Sequence, residues 1–179
     1  MTALPALGLL ALLFATGDGS EPRLTELAVH LDGQRVAVDF ALRGAFGDEL
    51  VERIETGLPT GFDYQFRLVK DFKFWWDQDL DETTVQVFAS YDAVAREYLV
   101  NLRQDGRLIE SKVLRTLQEL EAAMTRFAGL HLFTLEGSAP RRRLLIKARA
   151  KLGDKTLLRI LPTTDATGWV ESSKFRPPS

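Results

Sequence analysis

The two histidines are the first candidates for chemistry, because imidazole acts as a general base or metal ligand near neutral pH. His30 and His131 each lie in an alternating strand pattern, on the side opposite its apolar residues. Neither lies beside a serine or aspartate in a nucleophile motif, and the sequence has no Gly-x-Ser-x-Gly, His-Glu-x-x-His or phosphate-binding glycine loop. We expect both imidazoles to face solvent. The sequence predicts a non-enzymatic chain with no catalytic residue, no metal site and no cofactor.

A run of alternate carboxylates is the second candidate, because carboxylate oxygens are ligands for calcium. The run contains Asp77, Asp79, Asp81 and Glu82. In an EF-hand loop that begins at Asp77, position six would be glycine and position twelve glutamate, but Glu82 and Phe88 stand there. We therefore interpret the run as a solvated acidic link between two strands, and we expect no rise of the melting temperature in calcium.

The densest aromatic segment of the chain spans residues 72–76. Adjacent residues of a strand point to opposite faces, so these side chains cannot all enter one core. Two interpretations stay open. The segment bends over the end of a barrel or sandwich, or it forms an exposed apolar surface that binds a peptide, a partner or a membrane surface. The aromatic residues are Phe72, Phe74, Trp75 and Trp76.

A basic stretch spans residues 141–155 and contains a single acid, Asp154. Strand alternation places several of its cations on one face. This pattern is typical of a solvated strand face whose charges block aggregation. It also fits a docking surface for an anionic partner, such as lipid headgroups or an acidic protein face. The candidate residues on this face are Arg143, Lys147, Arg149 and Lys151.

The composition bounds the class of protein. The 179 residues correspond to about one domain. Lys and Arg total 23 against 25 Asp and Glu, and this balance argues against a nucleic-acid binder. The absence of cysteine excludes disulfides, thiolate catalysis and zinc–cysteine sites.

The first 17 residues carry no charged side chain and include an apolar run over 4–15. As a helix this run would span about 18 Å, well short of the ~30 Å hydrocarbon core of a membrane. We interpret residues 1–17 as a signal peptide, cleaved before Asp18 or after Gly19. An uncleaved short anchor and a buried first helix are the alternatives.

Strand periodicity dominates the rest of the chain. Asp32-Gly33 and Asp105-Gly106 predict two tight hairpins between alternating strands. A first short helix is predicted after Gly47, with Leu58 on its apolar face and Gly57 closing it. A second helix is predicted to begin at a Thr116–Glu119 capping box and to stop at Gly129. Its predicted apolar stripe is Leu117, Leu120, Met124 and Phe127.

The predicted element order is β-β-α-β-β-β-β-α-β-β, with short links that favour antiparallel neighbours. We therefore predict an α+β fold, mainly antiparallel β-sheet, rolled or in two sandwich-like layers, with two packed α-helices. The predicted domain spans residues 23–162, and residues 163–179 form a C-terminal tail.

Several passages together resemble a family of bacterial exported proteins classed as a domain of unknown function. They are residues 38–42 before the first helix, 54–64 with Gly57-Leu58-Pro59, 74–77, 91–98 with Tyr91-Asp92, and Gly168-Trp169. The resemblance covers about residues 24–170. It implies a bacterial envelope location, and it supplies no activity, cofactor or catalytic residue.

The function most consistent with these features is a non-catalytic exported, periplasmic binding or adaptor domain that acts on a protein or envelope component. An uncleaved leader would instead anchor the domain in the inner membrane. Membrane-surface contact stays open and nucleic acid is not expected. The alternative function is a small-ligand or lipid carrier, whose apolar pocket between sheet and helices would be lined by Phe40, Phe62, Phe66 and Leu120.

Overall fold

The computed structural model describes residues 21–71, 78–135, 143–152 and 166–177. The predicted signal peptide over residues 1–17 lies outside them. The strands and helices run in the order β1 (Arg23–Asp32), β2 (Arg35–Arg43), α1 (Asp48–Glu55), β3 (Thr60–Lys70), β4 (Gln78–Asp92), β5 (Glu97–Gln104), β6 (Arg107–Leu114), α2 (Leu117–Thr125), β7 (Arg126–Thr134), β8 (Leu144–Leu152) and β9 (Val170–Glu171).

The strands form two antiparallel sheets. The first has three strands in the order β1-β2-β7, and the second has six in the order β6-β5-β4-β3-β8-β9. The predicted α+β class, with mainly antiparallel sheet and two helices, is confirmed, and the two layers are distinct sheets.

The core lies between the two sheets and is centred on aromatic rings. Phe40 of the three-stranded sheet meets Tyr64 and Phe66 of the six-stranded sheet, with ring centroids 5.0 and 5.3 Å apart. Phe127 of β7 stacks on Phe40 at 4.7 Å. Alternation explains this arrangement, because every second residue over 36–40 of β2, 60–68 of β3 and 83–89 of β4 is buried while its neighbours are partly exposed.

Both helices begin as the sequence predicts. Gly47 is the N-cap residue of α1, and Gly57 has a positive φ of 83° just after the helix. The hydroxyl of Thr116 accepts from the Glu119 N–H, and the Glu119 carboxylate accepts from the Thr116 N–H. This capping box satisfies two backbone donors at the start of α2.

Two predicted helix features are wrong. Gly129 does not stop α2, because the helix ends at Thr125 and Gly129 lies inside β7 with a φ of 64°. A glycine with positive φ serves a β-bulge as well as a helix end. Phe127 accordingly belongs to β7 and not to the helical stripe, and Leu117 at the first turn of α2 is 44% exposed.

Three further local expectations are corrected. Leu58 lies beyond α1 and is 65% exposed, so it is not on the buried helix face. The first hairpin turns at Gly33 and Gln34, because Asp32 pairs with Arg35 as the last residue of β1. The described part of the acidic run is strand and not a loop, since β4 begins at Gln78.

The described part of the predicted tail, residues 166–177, runs beside β8. The Thr167 and Ser172 N–H groups donate to carbonyls of β8 at 2.8 and 2.9 Å. Their hydroxyls accept from the backbone N–H groups of Ala150 and Ile146, at 3.0 and 2.9 Å. Phe175 then exchanges two backbone hydrogen bonds with Leu144, so the tail covers an edge that β8 would otherwise expose.

Candidate functional site

The predicted interaction surface falls partly within the described residues. The aromatic members Phe72, Phe74, Trp75 and Trp76 lie outside them. The basic members are described. Arg143 precedes β8, and Lys147, Arg149 and Lys151 alternate with the buried Ala148 and Ala150 along it. The three side chains within β8 therefore project from the outer face of the six-stranded sheet, as alternation predicts.

The structure brings the flanks of the two sequence features to one end of this sheet. Asp71 directly precedes the aromatic segment, and its N–H donates to the Arg143 carbonyl at 3.0 Å. Lys70 and Leu144 are paired at the same end of the β3–β8 ladder. Residues more than 70 positions apart in the chain thus become neighbours.

A tryptophan that the sequence did not single out as a site residue lies at the centre of the basic face. The Trp169 ring has the Arg149 guanidinium 4.6 Å from its centroid and the Arg67 guanidinium 4.9 Å from it. Trp169 is nevertheless 38% exposed. Two cation–π contacts therefore fix an aromatic ring at the surface. We call Trp169, Arg67, Arg149 and Lys151 the cation–tryptophan face.

The cations of this region differ in how far they are neutralised. Lys147 forms an ion pair with Glu171 of β9 at 3.0 Å. Arg67 pairs with Asp79 at 3.1 Å and reaches Glu82 at 3.9 Å, so the acidic run of β4 supplies its counter-charges. Two of the carboxylates considered as calcium ligands from the sequence, Asp79 and Glu82, are therefore partners of an arginine, and the Asp81 carboxylate accepts from the Glu82 N–H at 2.9 Å.

Two cations of the face, Arg149 and Lys151, form no ion pair with a described residue. The Arg149 guanidinium donates to the neutral side-chain amide of Gln65 at 2.7 Å. Lys151 lies opposite Asp63 in the β3–β8 register. Neither Arg149 nor Lys151 is within ion-pair distance of a carboxylate in the part of the chain that the structure describes. The exposed Trp169 indole contacts one of these cations, Arg149, and together they provide apolar contact and positive charge for an acidic surface.

The histidines face solvent on the three-stranded sheet, as expected. His30 and His131 lie on either side of Ala37 in the strand registers. The Asp39 carboxylate contacts the His30 ring at 2.7 Å and accepts from the Gly129 N–H at 2.7 Å. These two partners, the Gly129 N–H first, lower the pKa of Asp39. The pair orders the β2–β7 bulge.

Two tyrosines near the core have a raised pKa. Burial raises the pKa of the Tyr64 phenol well above its usual value. Burial and the hydrogen bond that the Tyr98 hydroxyl donates to Glu55 at 2.9 Å raise the pKa of Tyr98 to about 12. Both side chains therefore remain protonated near neutral pH and act as hydrogen-bond donors that hold α2 and α1 to the sheet.

A cavity of about 610 Å³ opens between α1, the start of β3 and residues 166–168. Leu50 and Phe62 give it apolar walls, and Glu49 and Arg53 line its polar side. Of the residues predicted to line a carrier pocket, Phe62 borders this cavity. Phe40, Phe66 and Leu120 are instead packed in the core with at most 2% exposure.

A metal cluster and a membrane-spanning helix are both absent from the described ranges. These ranges contain no group of three or more His, Asp or Glu side chains arranged around a common metal position. The helices found there are too short or too polar to cross a membrane.

Comparison with known proteins places the chain in a family. The family model described as "Domain of unknown function (DUF4390)" matches residues 19–164, which is most of the chain. The chain belongs to the DUF4390 family. The resemblance to a domain of unknown function is thereby confirmed. No curated protein and no solved structure matches the chain.

The DUF4390 match ends before Trp169 and includes β8 with its basic residues. The cation–tryptophan face is therefore built across the boundary of the matched segment. The Gly168-Trp169 pair was the one sequence signal for this tryptophan, and its neighbours Arg67 and Arg149 are too distant in the chain for spacing to connect them.

Proposed function

We propose that the chain is a non-catalytic, exported binding domain of the periplasm that engages an acidic surface of an envelope protein through its cation–tryptophan face. The observation that carries the proposal is Trp169, held at the surface between Arg67 and Arg149. Tryptophan and arginine are the side chains most enriched among residues that dominate binding energy in protein interfaces.

The geometry favours binding because the face is ordered before any partner arrives. Arg67 is fixed by Asp79, and Arg149 is fixed by Gln65. Both residues lie on central strands of the six-stranded sheet, so less side-chain entropy is lost when a partner binds. Arg149 and Lys151 supply charge that an acidic partner surface would complement.

The aromatic segment extends this proposal. Its flanking residues reach the same end of the sheet as Arg143. We include Phe72, Phe74, Trp75 and Trp76 as a predicted second part of the binding surface, which Trp75→Ala tests separately.

Partner capture tests the proposal. Tagged full-length chain is expressed in its host and purified from envelope extract, with co-purified proteins identified by mass spectrometry. Arg149→Glu combined with Lys151→Glu should abolish capture of the specific partner. Arg23→Glu combined with Arg35→Glu makes the same charge change at exposed positions of the three-stranded sheet and should leave capture intact. Equal capture by both double variants, together with unchanged capture by Trp75→Ala and Lys147→Glu, would refute the proposal.

The exported location rests on the leader of residues 1–17 and has its own test. The intact mass of the chain recovered from the periplasm should lack residues 1–17 or 1–19. Full-length mass in a membrane fraction would support an inner-membrane anchor, and full-length chain in the cytosol would contradict export.

The cavity beside α1 supports a second candidate function, a small-ligand or lipid carrier. Its volume of about 610 Å³ falls within the ~300–1,000 Å³ range of small-molecule sites. Native mass spectrometry of the chain from envelope extract should then show an added lipid or metabolite mass. Leu50→Trp, which places a larger ring in the apolar wall of the cavity and narrows it, should reduce that mass, whereas Leu117→Trp on the exposed first turn of α2 should retain it.

A further inference from the structure

The strand β6 forms an open edge of the six-stranded sheet. Its neighbour is β5, and no other described strand pairs with it. Seven of its eight residues are exposed, including Leu108 at 54%, Ile109 at 45% and Val113 at 60%. An edge of this length carries a row of backbone donors and acceptors that can pair with another strand.

The sequence of β6 is chemically symmetric about Ser111. Moving outward from this serine, Glu110 corresponds to Lys112 and Ile109 corresponds to Val113. Residues at equal distances from Ser111 are therefore alike in hydrophobicity and opposite in charge. The symmetry ends there, because a register shift in the β5–β6 pairing leaves Ile109 between the paired residues Leu108 and Glu110. An antiparallel strand that pairs with a copy of itself needs this pattern, because each residue then meets its mirror position.

We propose that β6 pairs antiparallel with β6 of a second copy of this chain, on a two-fold axis through Ser111. Within one chain Glu110 and Lys112 form an ion pair at 2.9 Å. In the proposed register Glu110 of each copy also lies directly opposite Lys112 of the other, so one dimer adds two opposite-charge cross-strand pairs. Ile109 of each copy lies opposite Val113 of the other, so the symmetric pairing covers residues 109–113. A two-fold interface of this kind is closed and ends at a dimer.

The monomer already orders this edge. The Asp105 carboxylate in the β5–β6 turn accepts from the Thr83 hydroxyl at 2.7 Å and from the Thr84 N–H at 2.9 Å. The turn residues Asp105 and Gly106 both have positive φ, which suits a two-residue hairpin. The hairpin is therefore tied to β4, and pairing requires little reorganisation of β6.

The surroundings of the strand fit a second copy as well. Leu99 of β5, 40% exposed, pairs with Val113 on the outer face, so dimerisation would cover a contiguous apolar strip. On the inner face, Glu110 and Lys112 border an open cleft of about 240 Å³ between β6 and β7. Because one strand pair is a small interface, we expect concentration-dependent association.

Charge-swap variants test the register. Each single variant, Glu110→Lys or Lys112→Glu, turns the two attractive cross-strand pairs of the dimer into like-charge pairs. Each should therefore weaken self-association by about tenfold. Mixing these two variants should restore association, because every pair between a Glu110→Lys chain and a Lys112→Glu chain is again opposite in charge. Sedimentation velocity of full-length chain over a concentration series measures both effects, and the Arg23→Glu chain is the control for a single charge change outside β6.

A cysteine cross-link provides an independent readout in this cysteine-free chain. In the proposed register the two Ser111 Cα atoms lie ~4.5–5.5 Å apart, within the range that a disulfide spans. Ser111→Cys should therefore form a covalent dimer on mild oxidation much faster than Ser173→Cys, an exposed serine of the tail.

Three results would overturn the proposal. They are a wild-type chain that stays monomeric up to its solubility limit, a dimer that Glu110→Lys leaves unchanged, and a Ser111→Cys chain that cross-links no faster than Ser173→Cys. The first result would leave the edge to an extended segment of another protein. The cation–tryptophan face lies on β3, β8 and the tail, so failure of this proposal leaves the proposed function untouched.

Discussion

The hydroxyl of Tyr64 joins the six-stranded sheet to the end of α2, and its removal gives a defined prediction. It donates to the Met124 carbonyl at 2.7 Å, and both residues are fully buried. Since α2 passes directly into the extended backbone of Arg126, no glycine cap satisfies this carbonyl. Tyr64→Phe keeps the ring and leaves a buried acceptor without its donor. We expect a loss of about 1–3 kcal/mol in the free energy of unfolding.

Urea unfolding followed by circular dichroism measures this loss as a lower transition midpoint at an unchanged slope. The ring contacts with Phe40 and Phe127, at centroid distances of 5.0 and 5.3 Å, should be preserved in the variant. Tyr91→Phe is the matched control, because the Tyr91 hydroxyl makes no hydrogen bond to a described residue. It should change stability by less than ~0.5 kcal/mol. A Tyr64→Phe chain as stable as the Tyr91→Phe chain would refute the reasoning.

Three other predictions concern backbone and charge. Gly61→Ala would place a Cβ 1.9 Å from the Val87 carbonyl oxygen, so this chain should fail to fold and should show no cooperative unfolding transition. The Cβ of Gly168→Ala would meet nothing within 4 Å, so this control chain should fold. Thr116→Ala removes the capping box and should lower stability by about 1 kcal/mol in thermal unfolding, while Thr116→Ser should retain it. The pKa of Asp39 is lowered from its usual value of 3.8, so the ionised carboxylate stabilises the fold above that pH and this stabilisation is lost as the pH falls further. Asp39→Asn should therefore reduce the loss of folding stability at acid pH in a pH series.

Local sequence patterns predicted the local structure well. The capping box of Thr116 and Glu119, the Asp105-Gly106 turn and the buried alternation of β3 all depend on residues that are close in the chain. Spacing within a few residues decides each of them. The order of the elements from β1 to β8 was predicted correctly for the same reason, whereas β9 was missed within the predicted tail.

Features that depend on distant residues were not predictable. The pairing of β7 with β2 joins residues about 90 positions apart, and the Gly129 bulge that it contains is indistinguishable in sequence from a helix stop. The acidic residues of β4 look like a loop until Arg67 and the β3 ladder give them partners. Trp169 becomes a site residue only where the tail meets β8.

The most direct test of the central claim is cross-linking in living cells. A photoreactive residue in place of Lys151 puts the probe on the cation–tryptophan face. The same residue in place of Val94, which is 96% exposed at the β4–β5 turn, gives a matched surface control. We predict that illumination yields one discrete covalent adduct with an envelope protein at position 151 and none at position 94. The absence of an adduct at 151, or the same adduct at both positions, would contradict a binding function for this face.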